Sequence, residues 1–353
     1  MKRIPKIKRF WIILLMPVSI CLILWAKYIS GFADFYLNHI YKYISLIFNN
    51  LTGLLPFSLA EIIIIAVPVL FTGYIIHTAV KIIKSSQKSK ILVNSLFNIL
   101  CIISVIFFLF TTNCGINYYN TDIAHTMNIN TQAVSSDELY RVCVYLARQA
   151  SDIRQNLNED ENGISVLSNH LNERAQKCIN SFLDTNCSKP KSVLFSRVMS
   201  YLNITGVYFP FTLEANVNTD IPDFSIPATM CHELAHLNGI MREDDANFIS
   251  FLSCIGFDDE FAYSGYMMAM VYTSNALYNA DQNKYMDFLS YLSDGVIRDF
   301  NAQSAYWEHF KTPAAETAAN INDAYLKSNS QSDGIKSYGN MTDLVIAYFK
   351  DKI

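Results

Sequence analysis

The sequence predicts a mainly α protein with a small β-sheet, preceded by an α-helical membrane region of three spans. Three observations carry this reading. Long uncharged apolar runs are confined to the first third of the chain. The charge balance reverses near residue 113. Beyond that point helical periodicity dominates, broken by one β-rich stretch at 204–218.

The first apolar run, Phe10 to Ala26, is long enough to cross a bilayer at the short end of the range. Lys2, Arg3, Lys6, Lys8 and Arg9 precede it, flanks that a cleaved signal peptide would share. No small-x-small cleavage site follows Ala26, and two further runs come after, so a retained span is the better reading. Those runs are Ile62 to Val80, with Pro68 as a tolerable kink, and Ile91 to Thr112. Residues 81–90 between them carry four Lys. The positive-inside rule then assigns that loop and the N-terminus to the cytoplasm and residues 114–353 to the far side of the cell membrane. Trp25 and Tyr28 sit where an interfacial aromatic belt belongs. Residues 31–58, aromatic and amphipathic, fit either a segment lying in the outer interface or a loop packed on the following domain.

Residues 1–113 hold 11 Lys/Arg against two acids, Asp34 and Glu61, whereas residues 114–353 hold 16 Lys/Arg against 29 Asp/Glu. The acidic part has no basic stripe to grip phosphates, which argues against a nucleic-acid partner. The eight Cys show no CxxC spacing. Cys21 and Cys101 lie in apolar runs, and the other six fall beyond residue 113, where an oxidising compartment would allow some to pair.

From 114 onward the chain reads as one globular domain. Ser135 and Glu138 form a capping box ahead of an amphipathic stripe through Tyr140, Val144, Leu146 and Ala147. Helices are expected at 164–183 and 190–202, separated by a turn at 186–190. Residues 204–218 read as one or two short strands, either a core hairpin or an edge that receives an extended peptide. Ser225 and Pro227 then open a helix that Gly239 stops. A second helix begins near Glu243, and further helices are expected at 259–280, 283–301, 303–310 and 340–350.

The helix between Ser225 and Gly239 carries His232-Glu-Leu-Ala-His236. Positions i and i+4 share a helix face, so the two imidazoles aim at one point, and Glu233 between them can act as general base on water held there. This is the zinc metallopeptidase signature. Leu234, Ala235, Leu237 and Ile240 make the helix largely buried, and two His and a Glu in such a place need a partner or a metal. Zinc needs a third protein ligand, and no His follows nearby. Gluzincins carry Glu-x-x-Ala-Asp on the next helix; here Glu243-Asp-Asp-Ala-Asn247 stands in that position. Glu243 is therefore the expected third ligand, with Asp245 and Asp244 as alternatives. Asn247 replaces the Asp that supports a ligand His in that pattern, and it can accept the same N–H without the charge. Tyr263, Tyr266 and Tyr272 read as core or groove wall rather than catalytic groups, and Tyr263, His309 and Tyr338 are candidate oxyanion donors among which the sequence does not choose.

The chain resembles a family of bacterial membrane proteins catalogued as a domain of unknown function, number 3810. The residues that carry the resemblance are Phe209 to Asn218, His232 to Ile240, Glu243 to Phe248, Tyr263 to Tyr266 and Ser337 to Gly339. With the preceding spans the resemblance covers nearly the whole chain, and it implies a zincin-like, membrane-anchored metallopeptidase with an α+β catalytic domain. It implies no substrate. The expected function is a zinc-dependent peptidase tethered at the outer face of the membrane, its partners a peptide and the lipid bilayer. The alternative is a membrane-bound sensor or binding module with a non-catalytic metal site. An intramembrane protease is disfavoured, because Arg242, Glu243, Asp244 and Asp245 follow the motif at once and no apolar span surrounds it.

Overall fold

The protein is described by a computed structural model that covers residues 6–131, 135–329, 331, 338–350 and 352–353. Lys2, Arg3 and Ser337 lie outside the described residues. The chain is mainly helical with a three-stranded sheet. It divides into two compact units: Met1–Asn120 with Phe209–Glu214, and Thr121–Tyr208 with Ala215–Ile353.

The first unit contains α1 (Lys6–Ile13), α2 (Leu15–Tyr28), α3 (Phe32–Tyr36), α4 (Lys42–Gly53), α5 (Leu59–Ile83) and α6 (Lys88–Asn113). Among the described residues, three helices are long and apolar enough to cross a membrane: Lys8–Tyr28, Leu59–Ile83 and Lys88–Asn113. Pro17 explains the interruption between α1 and α2, since it has no N–H for the Ile13 carbonyl and crowds it. The second span starts earlier than hydropathy suggests because Ser58 caps it, its hydroxyl accepting the Glu61 N–H at 3.0 Å. Polar contacts tie the spans together: Arg9 donates to Asn94 at 3.0 Å, and the Tyr74 and Ser95 hydroxyls pair at 2.8 Å. Buried Glu214 accepts the Leu59 and Ala60 N–H groups at 3.2 and 2.9 Å, which satisfies two orphan donors at the start of α5. Residues 31–58 are helical through α3, a π-helical turn at Leu37–Tyr41 and α4, and Tyr43, Ile47, Phe48 and Leu51 remain exposed on α4.

The second unit contains α7 (Ile123–Thr126), α8 (Ser136–Arg154), α9 (Leu171–Leu183), β1 (Lys191–Ser192), α10 (Ser196–Tyr201), β2 (Gly206–Phe209) apart from Phe209, β3 (Glu214–Val217) apart from Glu214, α11 (Ile226–Leu237) and α12 (Glu243–Ile255). It ends with α13 (Asp259–Ala280), α14 (Gln282–Phe288), α15 (Asp294–His309), α16 (Pro313–Ser328) and α17 (Tyr338–Phe349). The capping box at Ser135 and Glu138 is present. Strand order is β1-β3-β2, with β1 parallel to β3 in the register Lys191 to Asn216. β2 is therefore an edge. Apolar faces of α8, α12, α13 and α17 make the core, through residues such as Leu146, Phe248, Phe251, Met270 and Val345.

Several expected elements differ. Only 171–183 of the 164–183 segment is helical, because residues 158–166 fold into a small loop closed by the Glu159–Ser165 bridge. The 190–202 segment is a short strand followed by α10 rather than one helix. Ser293 caps a new helix by accepting the Val296 N–H, so the chain breaks there and α15 runs through the stop expected near 302. Thr312 and Pro313 open α16, which was not expected at all. All eight Cys are free thiols.

One buried polar network ties α8, α13 and α15. Arg154 donates to Asp299 at 2.7 Å, the Tyr263 hydroxyl donates to Asp299 at 2.6 Å, and the Ser165 N–H donates at 3.0 Å. Asp299 is fully buried and Arg154 nearly so. Removing the carboxylate leaves the buried Arg154 cation to Glu159 and the Gly163 carbonyl, both at 2.9 Å, and deprives two further donors of their acceptor. Asp299→Ala should destabilise the chain by about 3–5 kcal/mol, lowering Tm by on the order of 10 °C in thermal unfolding of the detergent-solubilised protein. A shift of a degree or two would show that the network is not a structural tie.

Candidate functional site

The site is built on α11 and α12. A 3-10 turn, Asp223–Ser225, feeds directly into α11 and holds Ser225 in helical conformation, so the expected Ser225 cap is absent; its hydroxyl instead accepts from Gln303 at 3.2 Å. Ala228, in the first turn, is clamped from both sides. Its N–H donates to Ser264 of α13 at 2.9 Å, and its carbonyl accepts from Ser250 of α12 at 2.6 Å. The end of α11 is a Schellman turn: Gly239 N–H to His236 carbonyl at 2.9 Å, and Ile240 N–H to Ala235 carbonyl at 3.1 Å. Gly239 has φ of +90°, a conformation that a side chain would strain.

That turn does chemical work. It brings the Ile240 carbonyl to 2.7 Å from His236 Nδ1. Nδ1 must then carry the proton, which leaves the Nε2 lone pair free to bind a cation. The two His rings lie edge to face at 4.5 Å. Glu243, at the start of α12, reaches both: Oε2 is 3.3 Å from His232 Nε2, and Oε1 is 3.6 Å from His236 Nε2. The other two acids of that turn are engaged elsewhere. Asp245 pairs with Arg242 at 2.8 Å and accepts the Ile123 N–H, while Asp244 accepts the Asp245 N–H. Glu243 is the acid of the three that meets the His pair.

Glu233, next to His232 on α11, lies under β2. The residue is 4% exposed. A Cβ added at Gly206 would come within 2.7 Å of Glu233 Cγ and closer still to Oε1, so the strand passes over the carboxylate with no room for a side chain. Burial pushes Glu233 up to about 8; the charge of His232 and the Tyr208 backbone act in the opposite direction. Burial lowers His236 to about 4, reinforced by the neighbouring His232. His232 is also opposed by burial, but its contact with Glu243 outweighs that and raises it. Burial works against the Glu243 charge, and the two His hold its carboxyl below the usual range nonetheless.

Asn247 lies beside His232 and contributes to raising it, while His232 Nδ1 has no hydrogen-bond partner among the described residues. The half-buried Tyr272 of α13 is raised by burial and by the charge of Glu243, with neighbouring Asn247 acting in the opposite direction. Tyr263 is committed to Asp299, and His309 is exposed at the end of α15. The side chain of Tyr338 is outside the described residues. Gly206, Ile240 and Tyr272 were not read as site residues from the sequence. The Gly239 stop signals the Ile240 carbonyl; nothing local signals Gly206.

The trio fits a divalent ion. Ligand bonds of about 2.0–2.1 Å in a tetrahedron put ligand atoms ~3.3 Å apart, close to the two spacings from Glu243. The buried atoms His232 Nδ1, Glu233 Oε2 and Asn247 Nδ2 have no hydrogen-bond partner among the described residues, a costly arrangement without something further to bind.

Residues 36–346 match the family described as a protein of unknown function (DUF3810), and the chain belongs to that family. No curated protein and no solved structure matches it.

Gly206→Ala forces a methyl group into the Glu233 carboxylate. It should cost about 1–3 kcal/mol as overpacking, read by thermal unfolding against wild type. Unchanged stability would show that β2 does not press on Glu233.

Proposed function

We propose that this chain is a membrane-anchored, zinc-dependent peptidase of zincin type, its catalytic domain formed by residues 114–353 on the outer face of the cell membrane and its membrane region by residues 1–113. The observation that carries the reading is the convergence of His232, His236 and Glu243 on one point, with the buried carboxyl of Glu233 in the same helix turn. The three spans and the exposed apolar face of α4 support a membrane anchor and an interfacial segment. The basic loop at 81–90 supports the sidedness.

His232, His236 and Glu243 would hold the ion. When bound, zinc supplies a Lewis acid that polarises a substrate carbonyl and makes coordinated water acidic near neutral pH. Glu233 takes a proton from the attacking water at Oε2, which no protein group occupies among the described residues, and returns it to the leaving amine. The Ile240 carbonyl keeps His236 in the Nδ1–H tautomer throughout. β2 is a sheet edge that presses on Glu233 through Gly206, which supports its use as a template for an extended peptide. The competing reading, a sensor with a non-catalytic metal site, has no use for a buried carboxyl beside the ligands.

Glu233→Gln in the full chain should retain zinc, measured by elemental analysis. It should lose hydrolysis of a peptide library by about 100-fold or more, the range for a lost general base. Equal activity in both proteins would sink the mechanism; zinc retained without hydrolysis in either would favour the sensor. For topology, a reporter fused after Ile353 should read extracytoplasmic, and a cytoplasmic signal would reverse the placement.

A further inference from the structure

A second group of potential metal ligands involves α9, α11 and α12. Cys178 of α9, Cys231 of α11 and Cys254 of α12 bring their Sγ atoms within 4.8 Å of one another, and all three are buried. Cys178 and Cys231 are 3.7 Å apart although 53 residues separate them. Their spacing in the sequence gives no metal pattern; packing of three helices makes the cluster. Gly265 of α13 contributes, since a Cβ there would stand 2.9 Å from Cys254 Cβ. Close approach of α13 confines Cys254 from that side.

We infer that Cys178, Cys231 and Cys254 form a second metal site, a three-thiolate centre for a thiophilic d10 cation, Zn(II) or Cu(I). Metal–sulfur bonds of about 2.3 Å in a tetrahedral array put sulfurs ~3.8 Å apart, close to the 3.7 Å between Cys178 and Cys231. A disulfide needs about 2.05 Å, and no pair is bonded. Soft sulfur ligands without nitrogen or oxygen select this class of ion over magnesium, calcium or manganese. The plain alternative is three thiols packed as small apolar groups. That alternative does not require three helices to deliver their Cys to one point, and Cys143 and Cys187 are buried in the same unit without joining the cluster. Binding would release the thiol protons to solvent as metal–sulfur bonds form. Two of the three ligands sit on the helices that carry His232, His236 and Glu243, so the centre would brace the candidate catalytic site. The inference does not depend on the peptidase reading.

The test uses the full reduced chain in detergent, stripped of metal and titrated with Cd(II). A near-ultraviolet thiolate-to-metal charge-transfer band should saturate at one equivalent of sulfur-bound metal per chain. It should persist in the His232→Ala, His236→Ala double variant and disappear in Cys254→Ala. Displacement of Cd(II) by Zn(II) or by buffered Cu(I) distinguishes the two ions. Cadmium-113 NMR of the wild-type chain, shifted toward sulfur coordination, gives the same answer without a variant, should Cys254→Ala fail to fold. Absence of the band and of the shifted resonance in a chain whose Cys178, Cys231 and Cys254 are shown by alkylation to be free thiols would overturn the inference. A Cys178–Cys231 disulfide found by mass spectrometry would do so as well.

Discussion

Two imidazoles and two carboxyl groups lie largely out of water on a pair of helices, and the second unit is arranged around making that tolerable. An isolated buried charge costs several kcal/mol in practice. Here Glu243 offsets that cost for His232 at 3.3 Å and for His236 at 3.6 Å, and the Ile240 carbonyl accepts a hydrogen bond from the His236 Nδ1–H. Glu233 is compensated only in part: the His232 charge and the Tyr208 backbone oppose burial, which raises it nonetheless, and Oε2 has no hydrogen-bond partner among the described residues. Incompletely compensated burial of this kind is characteristic of functional sites, where strain and unpaired groups are tolerated because a ligand or reaction uses them.

The surrounding fold fixes the pair in place. Ala228 is held by Ser264 on one side and Ser250 on the other, so α11 cannot slide against α12 or α13 without losing a hydrogen bond. Its far end is set by the turn at Gly239. The Arg154–Asp299–Tyr263 network fixes α13 against α8 and α15, and α13 in turn carries Ser264, Gly265 and Tyr272 toward the two site helices. A site precise to a few tenths of an ångström needs this kind of support, because loosely held ligands lose their geometry.

How much of this was legible in the sequence depended on range. The spans, the capping box at Ser135 and the helix over 259–280 are local patterns, and the helices agree with them to within a few residues. The Ser58–Glu61 and Thr312–Pro313 starts were equally local, and their signals were overlooked. The His232, His236 and Glu243 convergence followed from helical spacing plus the short link after Gly239. Which of Glu243, Asp244 and Asp245 faces the rings was a matter of helix phase and of Arg242, which draws Asp245 away. Gly206 and the three-Cys cluster were not legible. Both arise from contacts between segments tens of residues apart, where no periodicity in either segment announces the meeting.

The central claim is that His232, His236 and Glu243 together bind a metal ion and leave a position open beside Glu233. The most direct measurement is anomalous diffraction at the zinc edge from crystals of the zinc-loaded chain. The account predicts a peak bonded to His232 Nε2, His236 Nε2 and Glu243 at about 2.0–2.2 Å, with a non-protein oxygen in the remaining position facing Glu233. No peak between those residues, or an ion closed off by a fourth protein ligand, would contradict it.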